Sequence, residues 1–338
     1  MFRTNLVIAM LALVTPAAVQ ADVIVTGYAE GSIRHYLDIG TQLGPITSGT
    51  VFGAAGMTMG SDGMLYVSCQ TSLFGPPGTP DGIFKVNPTT GAVTPFISLA
   101  SGYVPAGLRF GPSGDLFVSH NGGQAAPPGS GSVDRYNSIS GAFLGTAVPN
   151  LSQPTGLLFN GASLYISNFA AGNVIRFTGG TASVFASGGG LAGPSGLTFG
   201  SDGKLYVADL LSGSVLRYNG TTGAFDTAFI PTNGALLNQF PSDLVFDQLG
   251  RLLVADLGSS FNPNDPPNLH GNVKAFNALT GTFLNDFATD ILGASQAMLF
   301  TPVPEPGSLI LVGSGLVGFA TLRRSVRRRT LLRSVANR

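Results

Sequence analysis

Short apolar runs alternate with glycine-rich turns along most of this chain, and one two-run unit recurs. In residues 105–119 an apolar run is followed by a turn and then by a second apolar run. Runs of four to six residues rich in β-branched and aromatic side chains, bounded by turn residues, predict antiparallel strands. The unit returns at intervals of 51, 49, 40 and 47 residues, measured between the matching positions Gly56, Gly107, Gly156, Gly196 and Asp243.

Each unit continues with a second pair of strands, as in residues 213–225, so that one repeat supplies four strands. A period of 40 to 50 residues with four strands is typical of a propeller blade. Five blades are complete, and the two ends supply a sixth from residues 22–29, 31–38, 41–46 and 296–300. The pattern therefore predicts an all-β, six-bladed propeller over residues 22–302, with four-stranded antiparallel blades and closure by the N- and C-terminal strands. It resembles the NHL-repeat and gluconolactonase-like propellers.

The amino-acid composition agrees with this fold, and the distribution of charge limits the classes of partner that the protein can bind. The chain has 48 glycines and 23 phenylalanines, which suit short strands joined by tight turns. Residues 22–302 hold nine basic and 16 acidic residues, a formal charge of −7, whereas seven arginines lie beyond residue 322. An acidic surface repels phosphate backbones, so nucleic acid is excluded as a partner.

The N-terminus has the pattern of a secretory signal peptide over residues 1–21. Arg3 supplies the positive start, residues 6–14 form an apolar run, and a small-residue cleavage site ends at Ala21. We therefore expect export through the Sec translocon. The single cysteine, Cys69, excludes an intrachain disulfide.

The C-terminus has a second targeting pattern over residues 303–329. A Pro304-Glu305-Pro306 motif precedes the apolar run 308–322, and Arg323 and Arg324 follow it at once. Fifteen helical residues span about 22 Å, which is short of the roughly 30 Å hydrocarbon core, so we expect only transient retention in the membrane. The arginines orient residues 330–338 as a basic cytoplasmic tail. The alternative is a plain tail anchor.

This order of motif, short apolar helix and basic end resembles the PEP-CTERM sorting domain. The resemblance implies recognition by an exosortase and removal of the tail near the Pro-Glu-Pro motif, in a Gram-negative bacterium that makes exopolysaccharide. We expect the protein to cross the inner membrane and to reach the cell surface, the outer envelope or the extracellular space, with exopolysaccharide or a surface protein as its partner.

The candidate binding face is the one that carries the loops between the second and third strands of each blade. Three of these loops are enlarged, at residues 71–80, 121–130 and 258–270, and enlarged loops on a regular scaffold commonly carry binding sites. The alternative is tolerated drift. The candidate residues at strand ends or in these loops are Cys69, His120, Asn168, Asp209, Asp256 and His270. For Asp209 and Asp256 the alternative is a carboxylate that caps backbone N–H groups of its own loop.

The family resemblance also implies a calcium site, and here the sequence departs from the pattern. Gluconolactonase-like relatives place Asn or Asp between the Pro and Gly of a repeated motif, whereas this chain has Ala106, Thr155, Ser195 and Ser242 there. Ca²⁺ prefers several oxygen ligands that include carboxylates, so we expect no bound cofactor and no calcium-dependent lactonase activity.

These observations predict a non-catalytic binding module for a glycan, a matrix component or a protein. The alternatives are a propeller-type hydrolase, lactonase or lyase with a site on the same face, and a purely structural role in the extracellular matrix.

Overall fold

The fold is described from a computed structural model, for residues 22–37, 39–76, 78–100, 103–122, 127–232, 240–257, 270–292 and 295–301. These residues form six four-stranded sheets that contain 24 strands. The predicted signal peptide and the predicted sorting helix both lie outside the described residues. Within the described residues, no helix is long and apolar enough to cross a membrane.

Six consecutive groups of strands form the blades, and strand order follows chain order in all but the last. Blades 1 to 3 comprise β4 (Ala54–Met59), β5 (Leu65–Cys69), β6 (Gly82–Val86) and β7 (Val93–Ser98); β8 (Pro105–Phe110), β9 (Leu116–His120), β10 (Gly131–Tyr136) and β11 (Phe143–Leu151); and β12 (Pro154–Asn160), β13 (Ser163–Asn168), β14 (Asn173–Thr178) and β15 (Thr181–Ala186).

The other three blades complete the circle. Blades 4 to 6 comprise β16 (Pro194–Phe199), β17 (Leu205–Asp209), β18 (Ser214–Tyr218) and β19 (Phe225–Ile230); β20 (Pro241–Phe246), β21 (Arg251–Asp256), β22 (His270–Asn277) and β23 (Phe283–Leu292); and β24 (Ser295–Thr301), β1 (Asp22–Gly27), β2 (Ser32–Leu37) and β3 (Gln42–Thr47). A short helix, α1 (Thr71–Phe74), and a 3₁₀ turn, Phe169–Ala171, lie in the loops of blades 1 and 3.

Both chain ends contribute to blade 6, as the sequence pattern predicts. β24 pairs antiparallel with β1, with Val23 opposite Phe300 and Val25 opposite Met298. The predicted all-β class, blade number and closure are therefore confirmed. Because β24 pairs with β1, the last strand of the described chain covers the inner edge of the first strand.

The innermost strands of neighbouring blades pack side by side around a central channel, in the order β4, β8, β12, β16, β20, β24 and back to β4. Glycine in these strands permits the close approach. A Cβ atom on Gly107 would meet the Thr155 carbonyl oxygen and, at 3.0 Å, the Leu157 backbone nitrogen. The repeated glycine of the sequence is thus a packing requirement where blades converge.

The hydrophobic core lies between the blades and not in the channel. Edge-to-face aromatic contacts recur at equivalent places, for example between Tyr66 and Phe110 with ring centroids 4.9 Å apart. Tyr206 and Phe246 repeat the contact between blades 4 and 5 at 5.0 Å. Such pairs add about 0.5–1.5 kcal/mol beyond the burial of their area.

Candidate functional site

A pocket of about 470 Å³ occupies one end of the central channel. It opens on the face that carries the connections into the first strand of each blade and the loops after the second strand. That volume lies in the range of small-molecule sites, which are usually largely apolar with a few polar groups. The pocket is the strongest candidate for a functional site in the described part of the chain.

The rim of the pocket is built from one equivalent residue of each blade, the residue that follows the second strand. Backbone hydrogen bonds hold these residues in place: the N–H of Asn121 donates to the Val104 carbonyl at 3.0 Å, and that of Leu210 to Gly193 at 2.9 Å. In the order of blades 6, 1, 2, 3, 4 and 5, the rim residues are Tyr28, Gln70, Asn121, Phe169, Leu210 and Leu257.

The rim is therefore divided into two arcs. Blades 6, 1 and 2 contribute a polar arc, which is ordered by side-chain hydrogen bonds: the Tyr28 hydroxyl donates to Gln70 Oε1, and Gln70 Nε2 donates to the Pro105 carbonyl at 2.9 Å. Blades 3, 4 and 5 contribute an apolar arc, which Leu211 and Phe240 extend. A ligand with one polar and one apolar side would match this rim.

A second ring of pocket-lining residues occupies the position before the repeated glycine, which is replaced by Asp243 in blade 5. Ala106, Thr155, Ser195 and Ser242 all line the pocket. The Thr155 hydroxyl donates to the Pro194 carbonyl at 3.0 Å, and the Ser242 hydroxyl donates to Ala255 at 3.3 Å. These hydroxyls serve contacts between and within blades, and none brings a negative charge to the ring.

One cation also lines the pocket. Arg109, on β8, donates from Nη1 to the carbonyls of Met57 at 2.7 Å and Leu108 at 2.9 Å. Its Nε and Nη2 have no hydrogen-bond partner among the described residues, although the side chain lines the pocket. Burial lowers the pKa of Arg109, and the charge of Asp243 opposes this. Arginine still remains charged at any physiological pH.

One carboxylate accompanies the cation. Asp243 replaces the repeated glycine in blade 5, and its carboxylate accepts the N–H of Leu244 at 2.9 Å and that of Met298, in blade 6, at 2.8 Å. Burial raises the pKa of Asp243, while Arg109 and the two N–H groups act in the opposite direction. Among the described residues that line the pocket, Arg109 is the only cation and Asp243 the only carboxylate.

The donor set does not suit a calcium ion. Ca²⁺ takes six to eight oxygen ligands that include carboxylates, and the described residues that line the pocket offer a single carboxylate, that of Asp243. Within the described residues there is also no group of three or more His, Cys, Asp or Glu residues placed to hold a metal ion.

The candidate residues at strand ends lie behind the rim and do not line the pocket. Cys69 is fully buried, and burial raises the pKa of its thiol, which disfavours the nucleophilic thiolate. Asp209 is also fully buried and accepts the N–H groups of Ala192 at 2.9 Å and Gly193 at 2.7 Å. Asn168 accepts the N–H of Ser152 at 2.7 Å.

Asp209 thus caps mainly the connection into its own blade, in addition to a longer bond of 3.4 Å from Ser212 N–H in its own loop. Asp256 is fully buried at the end of β21, and His270 begins β22 opposite Leu292. A role for these strand-end residues in ligand binding stays a prediction.

His120 has the most unusual surroundings of this set. Its Nε2 lies 3.2 Å from the Tyr136 hydroxyl and 3.5 Å from Asp134 Oδ2, and its buried Nδ1 has no partner among the described residues. The nearby carboxylate favours the imidazolium, but burial outweighs it and lowers the pKa of His120 to about 4. The ring is therefore neutral at physiological pH.

Two of the three enlarged loops fall at least partly within the described residues. Residues 71–80 begin with α1 and are tied down by Asp81, which accepts the N–H and the hydroxyl of Ser72, both at 2.7 Å. Residues 127–130 end the second loop in a turn. The third loop, residues 258–269, lies outside the described residues.

Comparison with known proteins adds a sorting signal at the C-terminus. Residues 302–328 match the family described as the PEP-CTERM protein-sorting motif. The chain carries an exosortase sorting signal. The predicted Pro304-Glu305-Pro306 motif and the arginines at 323 and 324 fall inside the matched segment. No curated protein matches the sequence.

Solved structures with similar folds have diverse roles. A chain of a nidogen/laminin complex matches at 13% identity over 83% of this chain and 98% of its own, with a TM-score of 0.64. Regucalcin, a calcium-binding protein of Agrobacterium tumefaciens, matches at 20% identity over 81% and 86%, with a TM-score of 0.55.

A periplasmic gluconolactonase of Pseudomonas aeruginosa matches at 15% identity over 84% of this chain and all of its own, with a TM-score of 0.54. At such low identity these similarities establish the propeller fold alone. They agree with the NHL-type and gluconolactonase-like architecture that the repeat pattern resembles.

Sequence reasoning missed Arg109 and Asp243, the two charged residues that line the pocket of this PEP-CTERM propeller. Both stand where the repeat is broken. Asp243 occupies a position that is glycine in four other blades, and Arg109 occupies one that is Leu158 in the next blade and Thr198 in the one after. Departure from the repeat, more than position at a strand end, is the signal that identifies them.

Proposed function

We propose that this protein is an exported surface propeller that binds a glycan or protein ligand without transforming it. The observation that carries the proposal is the pocket at one end of the channel, with its divided rim. The ligand enters from the face of the b–c loops, the loops between the second and third strands of each blade. The candidate residues at the strand ends support this face from behind.

The polar groups of the pocket favour binding over catalysis. Arg109 has too high a pKa to exchange protons near neutral pH, and both oxygens of Asp243 accept backbone N–H groups. The hydroxyls of Thr155 and Ser242 donate to the backbone carbonyls of Pro194 and Ala255, so their protons are already engaged in hydrogen bonds within the protein.

A hydrolase or lyase is the second candidate function, and one observation favours it. Asp243 is a carboxylate whose pKa burial raises, and it faces a pocket that also contains a cation. Perturbed carboxylates in clefts are typical of general acids and bases. Under this alternative Asp243 would release its backbone N–H groups to act on a substrate.

The sorting motif implies export and recognition by an exosortase. We further propose that the tail is removed near Pro304, because proline disfavours helix in the residue before it and so keeps the cleavage region extended. Mass spectrometry of the protein from its host tests this. The expected mature form lacks all seven tail arginines, and a mature form that retains residues 323–338 would make the tail a simple anchor.

Glycan arrays and lactone hydrolysis, applied to the purified full chain, separate the two functions. The expected result is ligand capture that Phe169→Ser weakens at least tenfold, with no lactone turnover. Phe143→Ser is the matched control, since Phe143 is exposed on the outer strand of blade 2. Turnover that Asp243→Asn abolishes would favour the enzyme instead, and capture that both phenylalanine variants weaken equally would remove the pocket from the proposal.

A further inference from the structure

The charges in the pocket are arranged in opposition. Arg109 is on β8 and Asp243 on β20, and these strands are three places apart in the ring of six innermost strands. The two side chains therefore come from opposite walls of the channel. They interact electrostatically, but among the described residues each forms its hydrogen bonds with backbone groups and not with the other.

Each charge retains capacity for a ligand. Arg109 Nε and Nη2 form no hydrogen bond with described residues, and this edge of a guanidinium matches the two oxygens of a carboxylate. Each Asp243 oxygen accepts one backbone N–H, and a carboxylate oxygen can accept more than one donor. Both side chains are partly accessible through the pocket, although protein surrounds them.

We propose that the pocket binds a small zwitterion with an apolar body, of the class of α-amino acids with apolar side chains. The ligand carboxylate pairs with Arg109, its ammonium group pairs with Asp243, and its apolar side chain lies against Phe169 and the other residues of the apolar arc. This inference rests on the proposed binding function and names the ligand class for the same pocket.

Charge balance favours a zwitterion over the simpler ligand classes. A monoanion would pair with Arg109 and bring a second negative charge towards Asp243. A monocation would pair with Asp243 and bring a second positive charge towards Arg109. A neutral ligand would displace water from both charges and supply no counter-charge. Unpaired charges are costly in a desolvated site, whereas a zwitterion forms two pairs and keeps the net charge at zero.

Calorimetry with four probes tests the proposal on the full chain. The probes are L-phenylalanine, 3-phenylpropanoate without the ammonium group, 2-phenylethylamine without the carboxylate, and methyl glucoside as a neutral sugar. We expect L-phenylalanine to bind at least tenfold more tightly than each of the other three. Arg109→Gln and Asp243→Asn should each weaken L-phenylalanine at least tenfold.

The single-charge probes separate ligand pairing from damage to the fold. Asp243→Asn should strengthen binding of 3-phenylpropanoate, because it removes the repulsion, and Arg109→Gln should strengthen binding of 2-phenylethylamine for the same reason. A merely misfolded pocket would weaken every probe. Arg135→Gln is the control, because Arg135 is 46% exposed and pairs with Asp115 at 3.5 Å.

Other outcomes of the calorimetry would overturn the zwitterionic ligand class without deciding the proposed binding function, which the array and Phe169→Ser test separately. Preference for methyl glucoside, or equal binding of L-phenylalanine and 3-phenylpropanoate, would exclude zwitterion recognition. Binding of none of the four probes would do the same. If an arrayed glycan or protein still binds and Phe169→Ser weakens it, the binding function stands without this inference. If nothing binds at all, both fall.

Discussion

The junctions between blades differ in the two halves of the ring. In blades 1, 2 and 3, a buried serine near the end of the second strand donates a hydrogen bond to a backbone carbonyl of the next blade. Ser119 reaches Thr155 at 2.7 Å, Ser167 reaches Ser195 at 2.6 Å, and Ser68 reaches Ala106. In blades 4 and 5 the equivalent residues are Ala208 and Ala255, which lack the hydroxyl.

The second half is joined in another way. Asp243 occupies the glycine position of blade 5, where its carboxylate accepts the N–H of Met298 in blade 6. A Cβ atom on Gly196 would meet Asp243 Oδ1 at 2.5 Å, so this carboxylate fills the gap between blades 4 and 5 as well. The first half is closed by serine contacts that repeat from blade to blade, with Arg109 added between blades 1 and 2, whereas blades 4 and 5 lack these serines and a carboxylate fills the space instead. The difference teaches that repeated residues build the ring and that exceptions supply its chemistry.

The largest effect is expected from Gly107→Ala in the first half. The added methyl group meets backbone atoms of Thr155 and Leu157, which cannot rotate away as a side chain could. Overpacking of a rigid site costs about 1–3 kcal/mol and occasionally more, and we expect at least about 3 kcal/mol here. Urea unfolding followed by intrinsic fluorescence measures the change.

The matched control is Ala297→Gly, which is the reverse change at the equivalent position of blade 6. Ala297 is buried and its methyl group is already accommodated there. Loss of that methyl group and added backbone entropy should cost about 0.5–1 kcal/mol. Equal costs for the two variants would show that close approach of the strands is not what selects glycine in the first half.

The strands and closure of the ring could be predicted because their signals are local and repeated. Alternating apolar residues and turn residues predict the four strands of each blade. Residues 296–300 form a predicted first strand that no further strand follows, so its partner is expected in the strand that begins near residue 22. The pairing between β24 and β1 confirms this closure, which the incomplete repeats at the two ends of the propeller predict.

The residues that line the pocket were less predictable, because a shift of one position along the chain decides whether a side chain faces the pocket. Asp209 is still paired within its sheet and faces the connection at Gly193, whereas Leu210 has left the strand and lines the rim. Alternation of side chains makes a shift of one residue reverse the direction. That Arg109 and Asp243 line one pocket depends on blade order, which becomes apparent only when six blades are placed in a ring.

A moderate, pH-dependent effect is expected from His120, which ends the second strand of blade 2. Burial lowers its pKa to about 4, against about 6.5 in an unfolded chain. The unfolded state therefore binds the proton more strongly between these values. Its contribution to stability is complete above about pH 6.5 and is lost as the pH falls towards 4.

We expect the wild type to lose about 2 kcal/mol more than His120→Asn between pH 7.5 and pH 4.5, at 1.36 kcal/mol per pKa unit. Asparagine copies Asn168, which ends the equivalent strand of blade 3. Urea unfolding at both pH values gives the difference, and groups distant from His120 contribute equally in the two proteins. Parallel losses in the two proteins would place the titration elsewhere.

The smallest effect tests the serine junctions directly. Ser119→Ala removes the hydrogen bond to the Thr155 carbonyl at 2.7 Å and the longer one to the Gly107 carbonyl at 3.2 Å, so we expect the free energy of unfolding to fall by about 1 kcal/mol.

Ala208→Ser makes the opposite change in blade 4, where the Ser242 carbonyl lies near Gly196 as the Ser195 carbonyl lies near Gly156. The new hydroxyl can donate to that carbonyl, and we expect a gain of about 0.5 kcal/mol. Both values come from urea unfolding at pH 7.5. A loss above about 1 kcal/mol in Ala208→Ser would mean that its hydroxyl is buried without a partner. The two halves would then differ in backbone geometry as well as in side chains, because a serine that bonds in one half could not bond in the other.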